Sequence, residues 1–423
     1  MSSAAPSLDP ADLVEALARA GRAAQRALAR MGDTGKAAAL RSAAAALRAH
    51  GAQILAANAR DLEAGKARGL SSALLDRLAL DEKRLEAMAA GVEAVAALPD
   101  PVGEVIDTNT VPSGLDLSRV RIPIGLIGIV YESRPNVTAD AAALCVRAGN
   151  AVLLRGGSEA VHSNRAIHAA LAEGLAREGV PAEAVQLMPT QDREAVGAML
   201  RAAGLIDMIV PRGGKSLVER VQNEARVPVL AHLDGICHTY VHSAADPSMA
   251  RALALNAKMR RTGICGAMET LLLDADFTEG AMVVGALLDA GCELRGDVRA
   301  QALDPRIGQA SANDWDTEYL DAVLSVAVVD GFDAALEHIA RHSSGHTDAI
   351  VTSDEAAAER FLAEVDSAIV MVNASTQFAD GGEFGLGAEI GIATGRLHAR
   401  GPVALEGLTT YKWQVRGTGQ ARP

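Results

Sequence analysis

The sequence has few cysteines, no excess of basic charge and no long hydrophobic run. Its four cysteines lie far apart in 423 residues, so they offer neither a disulfide framework nor paired zinc knuckles, and they favour a reducing compartment. The net charge of −13 argues against nucleic-acid binding, which requires a basic surface. No apolar run reaches the roughly 18 residues of a membrane span, and no signal-peptide pattern opens the chain. We therefore expect a cytoplasmic protein that binds neither nucleic acid nor membrane.

The composition is that of a globular protein. Helices are predicted first along the chain, followed by alternating strands and helices. With 49% hydrophobic residues, a chain of this length divides into two or three domains with separate cores. Residues 9–98 predict helices, the first of them capped by Asp9 before Pro10. Residues 111–120 predict a short extended excursion or hairpin, and from Arg121 onward strands, glycine turns and helices alternate.

This alternation predicts parallel sheets with right-handed crossovers. The expected strands are 122–130, 151–154, 184–188, 206–210, 323–329, 349–352 and 368–373, and the later helices are 139–148, 161–174, 279–290 and 331–342. Ligands of such sheets bind beyond the carboxyl ends of the strands, where the loops 131–136, 155–158 and 211–216 fall. Residues 378–387 predict a glycine-rich loop, and 415–423 a loose tail.

Cys265 is the candidate nucleophile. It lies in Lys258–Thr270, where basic residues and two glycines lead into an apolar run. Nearby cations or a helix N-terminus lower the pKa of a thiol enough to populate the thiolate, and flanking glycines let a substrate carbonyl approach. The alternative is a small buried hydrophobic residue, as most free cysteines are. Cys145 and Cys237 are expected to be packing residues, and Cys292 has no comparable setting.

Two further patterns suggest other chemistry. Residues 211–216 (Pro-Arg-Gly-Gly-Lys-Ser) end like the phosphate loop of kinases and ATPases, but Ile209 stands where that motif needs its first glycine. Such a turn still binds anions through helix N–H groups. A zinc site would use His232, Cys237, His238 and His242. Strand alternation puts Cys237 on the face opposite the next two histidines, so we expect no metal.

Segments spread over the whole chain form a more specific pattern. They are Cys265 with Glu269-Thr270-Leu271-Leu272, and residues 131–138, 153–157, 211–215, 372–376, 382–391 and 398–402. Together they resemble the gamma-glutamyl phosphate reductases, also called glutamate-5-semialdehyde dehydrogenases, of the aldehyde dehydrogenase superfamily. The resemblance runs from the N-terminal helices to about Lys412. It implies two Rossmann-like parallel-sheet domains of the aldehyde dehydrogenase type plus a small β oligomerisation element.

The resemblance also implies a mechanism. Cys265 would attack the acyl phosphate of L-glutamyl 5-phosphate, phosphate would leave, and a thioacyl enzyme would remain. Hydride from NADPH would then release L-glutamate 5-semialdehyde, the second step of proline biosynthesis from glutamate. The Asn136 side chain and the Cys265 backbone N–H would hold the oxyanion. Superfamily members that hydrolyse their thioester carry Glu-Leu-Gly-Gly, whereas this chain has His232-Leu233-Asp234-Gly235, which favours reduction.

Binding residues follow from the same resemblance. The NADPH candidates are Arg155 and Ser158 for the 2′-phosphate, Gly213, Gly214 and Lys215 for the pyrophosphate or ribose, and Glu318 for the nicotinamide ribose. The substrate candidates are Arg134, Arg260, Ser375 and Thr376. Each has a structural alternative as an ion pair, a loop cap or a solvated side chain. Ser158 replaces the lysine usual in the family, so a weaker NADPH preference is expected, and Glu269 is expected to orient the cysteine loop.

The implied domains are discontinuous. Residues 1–107 and 124–244 would bind the cofactor, 245–380 would carry the nucleophile, and 108–123 with 395–417 would form the oligomerisation element. A homodimer or homotetramer is expected, with the glutamate 5-kinase that makes the acyl phosphate as a candidate partner. Two alternatives stay open: a hydrolytic or CoA-linked aldehyde dehydrogenase, and a non-catalytic nucleotide-binding subunit.

Overall fold

The structure is a computed structural model that describes residues 9–422. The first eight residues of the predicted cofactor domain and the last residue of the predicted tail lie outside the described part. The chain forms two compact units. The first contains the chain up to Leu230, Gly387–Gly391 and the chain from Val403 onward, and the second contains Ala231–Leu386 and Ile392–Pro402.

The first unit begins with the predicted helices. They are α1 (Pro10–Leu28), α2 (Asp33–Ala49), α3 (Gly51–Ala67), α4 (Ser72–Leu78) and α5 (Glu82–Ala97). The Asp9 carboxylate accepts a hydrogen bond from the Ala11 N–H at 2.8 Å, which confirms the predicted cap. Among residues 9–422, no helix is both long and apolar enough to cross a membrane.

An antiparallel sheet follows. It joins β1 (Val105–Thr110), β2 (Asp116–Pro123) and the last strand, β16 (Thr409–Arg416), in that order. Two expectations are corrected here. Val415 and Arg416 belong to β16 and not to a loose tail, and the continuous strand expected over 122–130 is broken. Gly125 has a φ of +137°, and a Cβ there would lie 2.2 Å from a carboxylate oxygen of Asp207, so the backbone turns away between two strands.

A four-stranded parallel sheet forms the centre of the first unit, in the order β5-β4-β3-β6. Its elements are β3 (Leu126–Tyr131), α6 (Val137–Arg147), β4 (Ala151–Gly156), α7 (Val161–Arg177), β5 (Val185–Leu187), α8 (Arg193–Arg201), β6 (Met208–Arg212) and α9 (Lys215–Glu224). The strands β3 and β4 are buried along their whole length, as is typical of strands covered on both faces.

The second unit contains a seven-stranded sheet in the order β10-β9-β11-β8-β7-β12-β13, and all its pairs are parallel. Its elements are β7 (Cys237–Val241), α10 (Pro247–Met259), β8 (Met268–Asp274), α11 (Gly280–Asp289), β9 (Glu293–Gly296), α12 (Val298–Gln301), β10 (Gly308–Gln309), β11 (Val323–Val329), α13 (Gly331–His342), β12 (Thr347–Val351), α14 (Glu355–Glu364) and β13 (Ile369–Val372). The short strands β14 (Gly391–Ala393) and β15 (Gly401–Val403) follow.

Apolar side chains cover both faces of this larger sheet. One core contains Leu271, Val283 and Val326, and another contains Tyr240 and Phe361. Because β7 pairs with β8 and β12, residues 231–244 fold with the second unit and not with the cofactor segment 124–244 expected from the sequence. The predicted α/β class with parallel sheets and a small β element is confirmed.

Candidate active site

Cys265 lies in the turn that joins α10 to β8. It is half-buried, whereas Cys145, Cys237 and Cys292 are buried. Burial raises the pKa of Cys292 to about 11 and also raises the pKa values of Cys145 and Cys237. These three thiols are therefore protonated near neutral pH, and Cys265 is the cysteine that a dissolved substrate can reach.

The backbone at Cys265 is held by close packing. A Cβ on Gly235 would lie 2.2 Å from the Cys265 carbonyl oxygen and 2.7 Å from its Cα, so only glycine fits at this position. The Cys237 thiol donates to the same carbonyl at 3.1 Å. Glu318 accepts a hydrogen bond from the Gly235 N–H at 3.0 Å. The predicted ribose ligand Glu318 is thus tied to the segment that packs against the cysteine turn.

Two histidines lie beside the thiol. One nitrogen each from His232 and His346 and the sulfur of Cys265 all lie within 4.8 Å of one another, and the two rings meet edge to face with centroids 5.0 Å apart. Burial lowers the pKa of His346 to about 3, so its ring is neutral at pH 7. His346 was not found from the sequence.

The three residues share one place in the fold. His232, Cys265 and His346 precede β7, β8 and β12, which are neighbours in the parallel sheet, so they meet at the amino edge. The sequence prediction of ligand loops at carboxyl ends concerned 131–136, 155–158 and 211–216, and the cysteine turn lies at the opposite end of its strand. The sequence-based zinc set is not assembled, because Cys237 faces Cys265 while His238 pairs with Asp348.

A buried ion pair fixes the start of β8. Glu269 pairs with Lys258, and both side chains are fully buried. Burial raises the pKa of Glu269 to about 7, opposed by the Lys258 ammonium. Glu269 also accepts from the Leu320 N–H at 3.3 Å, where Leu320 has a left-handed φ of +53°. These contacts agree with an orienting role for Glu269.

The predicted substrate residues Ser375 and Thr376 are buried just after β13. Ser375 accepts from the Gln377 N–H at 3.3 Å. The Thr376 hydroxyl has no hydrogen-bond partner among the described residues. A Cβ on Gly266 would lie 3.1 Å from the Thr376 carbonyl oxygen, which places this segment against the cysteine turn.

Gln377 is the residue that ties this segment to α10, and sequence reasoning missed it. Its amide donates to the carbonyls of Ala257 at 2.9 Å and Arg261 at 3.2 Å. Its oxygen accepts from the exposed Arg260 at 3.2 Å. The second unit therefore brings the predicted residues Arg260, Cys265, Glu318, Ser375 and Thr376 into one connected network.

In the first unit, Asn136 immediately precedes α6 and is half-buried. Its side-chain amide donates to Asp140 at 2.8 Å. Desolvation raises the pKa of Asp140 to about 6, and the bond from Asn136 and the charge of Arg212 oppose this rise. The amide of Asn136 therefore has one hydrogen fixed by Asp140. The predicted substrate residue Arg134 is exposed in the preceding loop.

The exposed glycine turn Gly213–Gly214 and Lys215 open α9. One backbone N–H that could bind an anion here already has a partner, because the Glu132 carboxylate accepts a hydrogen bond from the Gly214 N–H at 2.9 Å. A Cβ on Gly213 would lie 2.4 Å from that carboxylate. A chain carboxylate at the helix N-terminus satisfies the same N–H groups that a phosphate would. Glu132, which follows β3, was missed by sequence reasoning.

The predicted 2′-phosphate loop is arranged differently from the sequence expectation. Arg155 is not in the loop but in β4, where it is buried and donates to the carbonyls of Gly156 and Gln191, both at 3.0 Å. Burial lowers the pKa of Arg155. Ser158 is exposed as expected. The next residue, Glu159, accepts from the Ser133 hydroxyl at 2.9 Å.

Comparison with known proteins decides the family. Residues 2–294 match the aldehyde dehydrogenase family. Gamma-glutamyl phosphate reductase of Novosphingobium aromaticivorans is 74% identical over 97% of both chains. That of Sphingopyxis alaskensis is 69% identical over 100% of this chain and 98% of its own. The chain belongs to the gamma-glutamyl phosphate reductases of the aldehyde dehydrogenase family.

Solved structures agree. The crystal structure of gamma-glutamyl phosphate reductase from Thermotoga maritima matches with a TM-score of 0.95 and 42% identity, over 97% of this chain and 100% of that one. An acetylating aldehyde dehydrogenase from Geobacillus thermoglucosidasius matches with a TM-score of 0.67 and 17% identity, over 98% of both chains. The second likeness concerns the fold alone.

Proposed function

We propose that this chain reduces L-glutamyl 5-phosphate to L-glutamate 5-semialdehyde and phosphate, through a thioester on Cys265, in proline biosynthesis. The names of its relatives and its family support reduction of the glutamyl phosphate. The observation that carries the cysteine step is the reachable thiol, on a turn locked by Gly235. Four free thiols suit a reducing cytoplasm.

In the first step the Cys265 thiolate forms a bond to the acyl carbon. The carbonyl electron pair moves onto oxygen, and its return breaks the carbon–oxygen bond to phosphate, which leaves with that pair. The proposed oxyanion donors are the Cys265 backbone N–H and the Asn136 amide. The Asn136 amide has a second hydrogen besides the one bound by Asp140, which supports that role.

His232, in the segment before β7, favours a long-lived thioester. His232 stands where the hydrolytic relatives carry a glutamate, and its Nδ1 is 2.9 Å from the Ile392 carbonyl oxygen. Because a carbonyl only accepts, Nδ1 carries the hydrogen. No carboxylate stands at this position to activate water, which favours reduction of the thioester over its hydrolysis.

Family membership implies a nicotinamide cofactor, which supplies hydride when bound, and we propose NADPH. Gly213, Gly214 and Lys215 would hold it at the exposed N-terminus of α9, and Glu318 would hold the nicotinamide ribose. The charge around Arg155 is mixed: after burial, the Glu159 carboxylate raises its pKa, whereas the Arg220 and Arg193 cations, which would favour a 2′-phosphate, lower it. The buried Arg155 would attract the 2′-phosphate through its charge and would not contact it directly.

The substrate residues are proposed with different roles. Arg260, exposed and bound to Gln377, and the exposed Arg134 would attract the phosphate and the α-carboxylate. Ser375 and Thr376 are buried, so their contribution is positional, through the segment that touches the cysteine turn.

We also propose a homodimer or homotetramer, formed through 108–123 and 395–417. Tyr411, Trp413 and Val415 alternate along the edge strand β16, so they share one face, and they are 47%, 56% and 55% exposed. An exposed apolar strand edge is a site for pairing with another chain.

We propose a complex with glutamate 5-kinase as well. Such a complex would protect the unstable acyl phosphate on its way between the two enzymes.

The deciding experiment is the reverse assay, in which glutamate 5-semialdehyde and phosphate reduce NADP. Cys265→Ala should abolish activity, and Cys292→Ala, which alters a buried thiol of the same unit, should retain it. Normal activity in Cys265→Ala would refute the proposal. Activity without phosphate would select a hydrolytic or CoA-linked enzyme, and nucleotide binding without turnover would select a non-catalytic subunit. The same assay with NAD tests the cofactor preference.

A further inference from the structure

His232, Cys265 and His346, called the thiol–imidazole trio below, have a property that acyl transfer does not use. Their ligand atoms all lie within 4.8 Å of one another. We infer that the trio binds one divalent zinc ion, and that the bound ion reversibly blocks Cys265. Two neutral imidazoles and a thiolate are ligands of the kind that Zn²⁺ prefers.

The spacing is close to that of a zinc site. Tetrahedral coordination with Zn–S of about 2.3 Å and Zn–N of about 2.0–2.1 Å sets ligand atoms roughly 3.3–3.6 Å apart. Closing the trio from its present spacing needs side-chain movements of about 1 Å. The backbone before three adjacent parallel strands already converges, so no element has to move.

In both imidazoles Nδ1 has a polar neighbour. His232 Nδ1 donates to the Ile392 carbonyl, which leaves Nε2 with its lone pair. His346 Nδ1 is 2.9 Å from the Thr347 hydroxyl and 3.6 Å from the Cys237 sulfur. Ligating histidines usually have such a partner on the other ring nitrogen.

His346 gives a second, independent indication that a ligand binds at the trio. Its Nε2 is buried and has no hydrogen-bond partner within residues 9–422, and its side chain has no exposed surface. A buried nitrogen without a partner costs about 1–3 kcal/mol. A ligand on Nε2 removes that cost.

Only three protein ligands converge in the described residues, so the fourth position is left to water. Sites with an open position are typical of exchangeable or catalytic zinc, and closed four-ligand sites of structural zinc. The ion would occupy the sulfur lone pair that attacks the acyl carbon. The site does not depend on the proposed reaction, because it requires only that Cys265 ionise on binding.

The test is a titration of the reduced, chelator-treated full-length chain with Co²⁺. We expect one ion per chain, with a thiolate-to-cobalt charge-transfer band that excess Zn²⁺ removes. Cys265→Ser should lose the band. His346→Asn should weaken binding by more than the about 10- to 100-fold that loss of an outer partner costs. His338→Asn, which alters a half-buried histidine of this unit in edge-to-face contact with Trp315, should bind like the wild type.

A second measurement needs no variant. Zn²⁺ should protect Cys265 of the wild-type chain from iodoacetamide, as mapped by mass spectrometry, and EDTA should restore labelling. Equal labelling with and without Zn²⁺, or an unchanged cobalt band in Cys265→Ser, would overturn the inference. Neither result would affect the proposed reductase activity, which is read from NADPH turnover.

Discussion

The cysteine turn of the second unit and the proposed cofactor loops of the first hold their functional groups in opposite ways. At Cys265 the backbone is packed against Gly235, and the Lys258–Glu269 ion pair at the start of β8 is fully buried. In the first unit, the glycine turn at α9 is exposed and carries the carboxylate of Glu132. A covalent step needs fixed geometry, whereas a cofactor that enters and leaves needs a charge it can displace.

Among the substitutions that test this difference, Gly235→Ala is expected to have the largest effect on activity. Gly235→Ala puts a Cβ 2.2 Å from the Cys265 carbonyl oxygen, so the turn must shift and the thiol loses its position. We expect kcat in the reverse assay to fall at least about 100-fold, since misplacement by 1 Å costs this much.

A matched control is Gly285→Ala in α11, where an added Cβ meets nothing within 4 Å. It should keep full activity and gain up to about 1 kcal/mol of stability. Circular dichroism checks that both variants fold. Full activity in Gly235→Ala would show that the turn adapts and is not locked.

The next effect is at Asn136, the proposed oxyanion donor. Asn136→Ala removes the amide that Asp140 orients, and loss of one such donor costs about 100- to 1,000-fold in kcat. Steady-state kinetics should show this loss with little change in KM. Asn109→Ala, an exposed asparagine of β1, is the control. A change in KM alone would assign Asn136 to binding.

Asp140 gives a pH-dependent effect on stability. Its pKa rises from 3.8 to about 6 on folding, so between these values the folded chain holds a proton that the unfolded chain has lost. Stability must therefore fall as pH rises through this window. Relative to Asp140→Asn, the wild type should lose about 2 kcal/mol between pH 4.5 and 6.5, measured by urea unfolding. Parallel curves for the two proteins would contradict the raised pKa.

Much of the fold was predictable because local patterns fix it. The strand at 323–329 and the helix at 331–342 occur with the predicted limits, since an apolar run and a helical period identify them within a few residues. The break at Gly125 was not predictable, because it depends on Asp207, which is distant in sequence.

The site shows the same division. The segment around Cys265 could be recognised from its neighbours in the chain. His346 could not, because strand order brings β12 beside β7, and no local pattern gives that order. The sequence predicts Arg155 in a loop because the apolar run ends at Leu154, whereas pairing of β4 with β3 continues to Gly156.

The smallest expected effect is in the first unit, where a substitution of Glu132 should change the KM for NADPH. Glu132→Gln keeps an oxygen for the Gly214 N–H but removes a negative charge from the N-terminus of α9, where an entering phosphate would compete with it. A charge at a helix end is worth about 0.3–1 kcal/mol, so the KM for NADPH should fall about 2- to 5-fold with kcat unchanged. Glu219→Gln, an exposed position further along α9, should leave this KM unaltered. A higher KM in Glu132→Gln would mean that the carboxylate holds the glycine turn in its binding form, and the first unit would then resemble the fixed cysteine turn.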